Sequence, residues 1–114
     1  MNYVEFIAGN SEYKLRLSTR NVVALEKQLG CNPLMIFGAG DKIPTITAMV
    51  QILHASMQQY QHNITLEKAY DIFDTYLEEG HIPTDFIPTI IDIYKASGIM
   101  KADNTSTEEG AEKN

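Results

Sequence analysis

Residues 43–66, IPTITAMVQILHASMQQYQHNITL, contain no Lys, Arg, Asp or Glu in a chain that is 21% charged. Ile46, Met49, Val50, Leu53, Met57 and Tyr60 recur at helical spacing, and Ile52 and Ala55 widen their face. Thr47, Gln51, His54, Gln58 and Gln61 form the opposite face, polar but uncharged. The spacing predicts a helix that starts at Pro44 or Thr45 and ends near Tyr60. A helix with a broad apolar side and a neutral back is the central element of a small domain, or one side of a protein interface. The interrupting Gln, His and Asn residues exclude a membrane span.

The rest of the chain supplies what such a helix needs for a core. Its 114 residues suit one domain, over residues 1–100, without staples. The net charge of −6 is spread along the chain, against nucleic-acid binding, which needs clustered Lys and Arg on phosphates. One cysteine, Cys31, rules out an internal disulfide and fits a reducing cytosol. Glu5 and the lack of a long apolar run near the start predict no secretory leader.

Upstream, Tyr3–Ala8 and Glu12–Leu17 read as strands about a Gly9-Asn10-Ser11 turn. Tyr13, Leu15 and Leu17 alternate with Lys14 and Arg16, so one face of the hairpin is buried. Ser18 or Thr19 caps a helix to about Leu29, with Gly30 at its end and Asn32-Pro33 beyond. Val22, Val23, Leu25 and Leu29 make its apolar side. Pro33 opens a short helical turn, Leu34–Phe37, followed by a flexible Gly38-Ala39-Gly40-Asp41 link.

Downstream, Thr65 caps a helix over Leu66–Glu79 whose core face is Leu66, Ala69, Tyr70, Phe73, Tyr76 and Leu77. Thr84 caps a last helix to about Ser97, packed through Phe86, Ile87, Ile90, Ile91 and Tyr94. Residues 101–114 hold no large apolar residue and read as a disordered acidic tail. The expected fold is α+β, mostly α: an N-terminal β-hairpin, four main helices and this tail.

No chemistry stands out. There are no paired carboxylates in an apolar setting and no nucleophile beside a base. His54, His62 and His81 lack ligands at metal spacing. Cys31 reads as a packed small residue. The chain is therefore expected to be non-enzymatic, with no metal and no cofactor. Glu67, Asp71, Asp74 and Glu78 share one helix face, either a solvated surface or a dock for a basic partner. Met35, Ile36 and Phe37 crowd a single turn, and either plug the core or stay partly exposed for a partner. The amides of Gln51, Gln58 and Gln61 suit a contact between subunits, so Gln58→Glu is expected to disturb assembly more than folding.

Four segments occur in a recognisable order: YKLRL (13–17), LEKQLGCNPL (25–34), ILHAS (52–56) and YLEEG (76–80). The chain resembles the small tail assembly chaperones of long-tailed bacteriophages and prophages of Gram-positive bacteria, over roughly residues 3–99. The resemblance implies a protein that binds the long tape measure protein, keeps it soluble and extended, and helps recruit tail tube protein. It implies work in the host bacterial cytoplasm, absence from the mature virion, and self-association on an extended partner. A frameshifted longer product is a further implication. No catalytic or binding residues carry over from that family. The competing expectations are an acidic phage-encoded inhibitor or a minor structural tail component.

Overall fold

A computed structural model describes residues 2–38 and 43–102. Its elements are a β-hairpin followed by four α-helices and two 3-10 turns, an α+β fold that is mostly helical. Strands β1 (Val4–Ala8) and β2 (Ser11–Leu15) pair antiparallel, with Val4 opposite Leu15 and Ala8 opposite Ser11. The turn therefore holds only Gly9 and Asn10, and Ser11 already belongs to β2. Gly9 has φ 64, a backbone conformation that favours glycine, and a Cβ there would stand 3.2 Å from Thr75 Cγ2, close enough that the threonine would have to give way slightly. Phe6 and Ala8 point into the core; Ile7, between them, points out and is 63% exposed.

The strand expected to run to Leu17 stops at Leu15 because the next donors find other acceptors. Arg16 N–H donates to the Ser56 carbonyl (2.9 Å), and Leu17 N–H donates to Ser97 Oγ (2.8 Å). Leu17 is still fully buried. Helix α1 (Thr19–Leu29) is capped by Ser18, whose Oγ accepts from Asn21 N–H. It ends at Gly30 in the left-handed conformation, φ 75. Leu25 is its one fully buried side chain; Val22 and Leu29 are partly covered and Val23 is 44% exposed. A 3-10 turn, Pro33–Phe37, follows.

Helix α2 (Ile46–Met57), capped by Thr45, packs against α1, α3, α4 and β2. Met49, Val50, Ile52, Leu53 and Met57 are all buried to 1% exposure or less, on more than one side of the helix. The helix ends three residues before Tyr60. Gln58 and Gln61 side chains take its final carbonyls, and the chain turns through Asn63 at φ 58. Ile46 and Tyr60, expected on the core stripe, are 54% and 40% exposed: Ile46 is the first residue of α2 and Tyr60 lies beyond its end. Tyr60 instead meets the edge of the Tyr3 ring at 5.4 Å.

Helix α3 (Leu66–Glu78) is capped by Thr65 and buries Ala69, Ile72, Phe73 and Tyr76. Ile72 takes the place expected of Tyr70, which is 41% exposed. The last helix differs most from expectation. Thr84 is not its cap: a second 3-10 turn, Pro83–Phe86, comes first, and α4 runs Ile87–Ala96. Pro88 explains the change. It has no N–H for a continuous α-helix begun at Thr84, but fits the first turn of a helix that starts at Ile87. Asp85 fastens the turn by accepting from Ile82 N–H at 3.0 Å. Within α4 the fully buried set is Ile90, Ile93 and Tyr94, with Ile87 and Ile91 half-buried.

Two contacts close the core. Phe86 is ringed by Phe6 and Phe73 at 5.5 Å and by Tyr76 at 6.0 Å, joining β1 and α3 to the 3-10 turn that leads into α4. Tyr94 is fully buried, and its hydroxyl donates to the Pro33 carbonyl at 3.0 Å. Burial, with Cys31 nearby, pushes that hydroxyl well above the ordinary tyrosine range, so it stays a donor. Residues 39–41 of the expected link and residues 103–114 of the expected tail lie outside the described residues. Phe86→Ala is expected to lower stability by about 3–5 kcal/mol, through the cavity left among three rings. Denaturant unfolding followed by circular dichroism measures this, and a loss under about 1 kcal/mol would contradict the packing.

Candidate interaction surfaces

Three surfaces carry the residues singled out in the sequence. The first is a groove between the end of α1, the first 3-10 turn and the start of α2. Leu29, Met35, Ile36, Ile43 and Ala48 give it apolar walls, Gln51 lies at its polar side, and among the described residues no charged side chain lines it. Its volume is about 450 Å³. Met35 is 65% exposed and Ile43 59% exposed, and Leu34 and Ile46 add partly exposed apolar surface close by in the chain. Ile36 and Phe37 are half-buried against the core, and the Phe37 ring lies 6.3 Å from Tyr94. The turn thus splits its apolar residues: Phe37 and Ile36 anchor it, while Met35 faces outward.

Cys31 also lines this groove and is exposed, where a packed position was expected. It sits just past Gly30, where the chain leaves α1 without a covering element. Exposed Ile43 and Ile46 were not singled out as surface by the sequence. Ile46 lies one helical turn before Met49, and that spacing reads as core.

The second surface is the amide side of α2, and here the structure changes the expected roles. Gln61 does not face outward. Its Oε1 accepts from Lys14 N–H (2.8 Å), and its Nε2 donates to the Lys14 and Met57 carbonyls (both 2.9 Å). Gln58 Nε2 donates to the carbonyls of His54 and Ile64, at 2.8 and 2.9 Å. His54 Nε2 lies 3.1 Å from the same Ile64 carbonyl, so that nitrogen carries the proton, since a carbonyl only accepts. These amides close the turn after α2 and hold the hairpin. Only Gln51 of the three glutamines sits at the groove.

The third surface is the stripe on α3. Glu67, Asp71, Asp74 and Glu78 are all exposed, as the spacing requires. Asp71 borders a small polar pocket of about 220 Å³ beneath the hairpin turn, with Lys68 and Thr75. Next to the stripe, Glu79 Oε2 accepts from Gly9 N–H at 2.9 Å, so one acidic side chain of this region serves the fold.

The histidines are dispersed. His81 stacks on Tyr76 at 4.1 Å and lies 3.6 Å from Asp85, and the Tyr76 hydroxyl is pushed up by burial and then by the Asp85 charge. Among the described residues no three His, Cys, Asp or Glu side chains gather as a metal site. Among the same residues no helix is long and apolar enough to cross a membrane.

The family comparison matches residues 4–113, nearly the whole chain. The chain belongs to DUF6096, a family of unknown function. No curated protein and no solved structure matches it. For this DUF6096 member, the amide geometry makes a direct prediction. Gln58→Glu replaces a donor to two carbonyls with an acceptor, and is expected to cost about 1–3 kcal/mol of folding stability. Gln51→Glu, with no such bonds, is expected to change stability by less than about 0.5 kcal/mol. Thermal unfolding of the two variants side by side tests this, and equal effects would refute the assignment.

Proposed function

We propose that this protein is a non-catalytic tail assembly chaperone of a long-tailed bacteriophage or prophage. Its client is the tape measure protein, which it keeps soluble and extended in the host bacterial cytoplasm while tail tube protein is recruited. It self-associates on that client and leaves before the virion is complete. The observation that supports this reading best is the groove beside Met35 and Ile43, apolar and uncharged among the described residues. Apolar side chains exposed together around a concave surface suit a partner with apolar segments of its own. Along these residues a partner docks without stranding an ion. Met35, with its flexible thioether, adapts to varied side chains, as a chaperone for a long and repetitive client requires. The net charge of −6 keeps the free protein soluble despite that surface. The ordered similarity of residues 13–17, 25–34, 52–56 and 76–80 to known tail assembly chaperones supplies the client's identity.

A second reading follows from the four exposed carboxylates of α3: an acidic protein that occupies a basic partner. The two readings place the contact on different faces. Co-expression of the tape measure protein with wild type, Met35→Glu/Ile43→Glu and Asp71→Lys/Asp74→Lys separates them. Wild type and the α3 variant are expected to keep the client soluble and to co-purify with it. The groove variant is expected to lose at least about tenfold in retained client, as for removal of a central apolar contact. Client retention by the groove variant together with loss by the α3 variant would reject the groove as the binding face. No retention by wild type would reject the chaperone reading.

A further inference from the structure

The two edges of the hairpin are treated differently. On β2, Lys14 turns both its N–H and its carbonyl to the Gln61 amide, and Arg16 turns its N–H to Ser56. Along an antiparallel ladder, residues alternate between exchanging both bonds with the residue opposite and turning both away. Lys14 stands opposite Glu5, so Glu5 also turns its backbone groups away from its partner strand, and Ile7 does the same two residues on. Those groups form the outer edge of β1. Among the described residues, no side chain or other segment bonds to them as Gln61 bonds to Lys14. Glu5 is exposed, and Ile7 is 63% exposed on the solvent face of the sheet.

We infer that the edge of β1 pairs with β1 of a second copy of this chain, antiparallel about a two-fold axis, to make a four-stranded sheet. The edge itself argues for this occupant. With Glu5 of one copy opposite Ile7 of the other, every outward N–H of these residues meets an outward carbonyl, and symmetry repeats the match. The same register lays the stem of each Glu5 along the exposed Ile7 of the other copy and keeps the two carboxylates off each other. A register with Glu5 opposite Glu5 opposes like charges and is disfavoured. On the β2 edge Gln61 holds both backbone groups of Lys14 and leaves only Glu12, beside the turn, facing outward, so β1 offers the longer open edge, and pairing about a two-fold axis there closes at two copies. This deepens the self-association in the proposed function and rests on that part alone. The groove, and with it client binding, belongs to other elements.

Sedimentation of the full chain over a concentration series tests the pairing, with Ile7→Pro and Ile7→Glu beside wild type. Proline removes an outward N–H that the monomer does not use, and glutamate at position 7 sets a like charge opposite Glu5 of the other copy without altering the backbone. Wild type is expected to pass from monomer to dimer. Both variants are expected to weaken the dimer by at least about tenfold with unchanged helical circular dichroism. A wild type that stays monomeric, or variants that dimerise as well as wild type, would overturn the inference. If Ile7→Pro fails to fold, Ile7→Glu still makes the comparison. In addition, the amides of Glu5 and Ile7 in wild type are expected to gain exchange protection as concentration rises, and fast exchange at every concentration would overturn the pairing. Loss of the dimer with client retention intact would leave the chaperone reading standing.

Discussion

The hairpin is held by the C-terminal end of α2, and much of the architecture depends on that attachment. The Gln61 side chain pairs with both backbone groups of Lys14, as a neighbouring strand would. Beside it the Ser56 carbonyl takes Arg16 N–H, and Ser97 takes Leu17 N–H. A two-stranded sheet alone is marginal in water. Here it is fastened at one edge to α2 and at its end to α4, while Phe6 reaches into the aromatic cluster around Phe86. The constraint runs in both directions. Helix α2 must stop at Met57 so that Gln58 and Gln61 can swing round to serve its last carbonyls and the strand.

This arrangement decides which surfaces are free. The amide side of α2, uncharged over residues 43–66, is neutral because it works inside the monomer. At Gln58 a carboxylate would face two carbonyls with no proton to give, and at Gln61 neither a carboxylate nor an ammonium could both accept from Lys14 N–H and donate to its carbonyl. The surfaces left over are the groove at the other end of α2, the outer edge of β1 and the acidic side of α3. They lie on different elements, so a client, a second copy and solvent need not compete for one site.

Much of this fold was legible in the sequence. The hairpin, the caps at Ser18 and Thr65, the stop at Gly30 and the order of the four helices follow from local chemistry. The outward Ile7 was not singled out, although it follows Phe6 in a strand and consecutive residues point to opposite faces. What escaped depends on contacts distant in the chain. Gln61 looked like surface because periodicity cannot show a bond to a residue 47 positions away. Ile46 looked like core because its spacing is right, but it is the first residue of α2 and stays 54% exposed there. The start of α4 moved past Thr84 because Pro88 could not donate where a longer helix needed it. Of the candidate site, the four carboxylates of α3 are exposed on one face as their spacing required, and Met35 takes the outward one of two alternatives the sequence left open, whereas Gln58 and Gln61 belong to the fold.

The most direct test of the groove as the client surface is hydrogen exchange of the whole chain with and without the tape measure protein. Added protection is expected over the end of α1, the turn at Pro33–Phe37 and the first half of α2, with α3 from Leu66 to Glu78 unchanged. Protection confined to α3, or exchange over residues 28–51 that the client leaves unaltered, would contradict it.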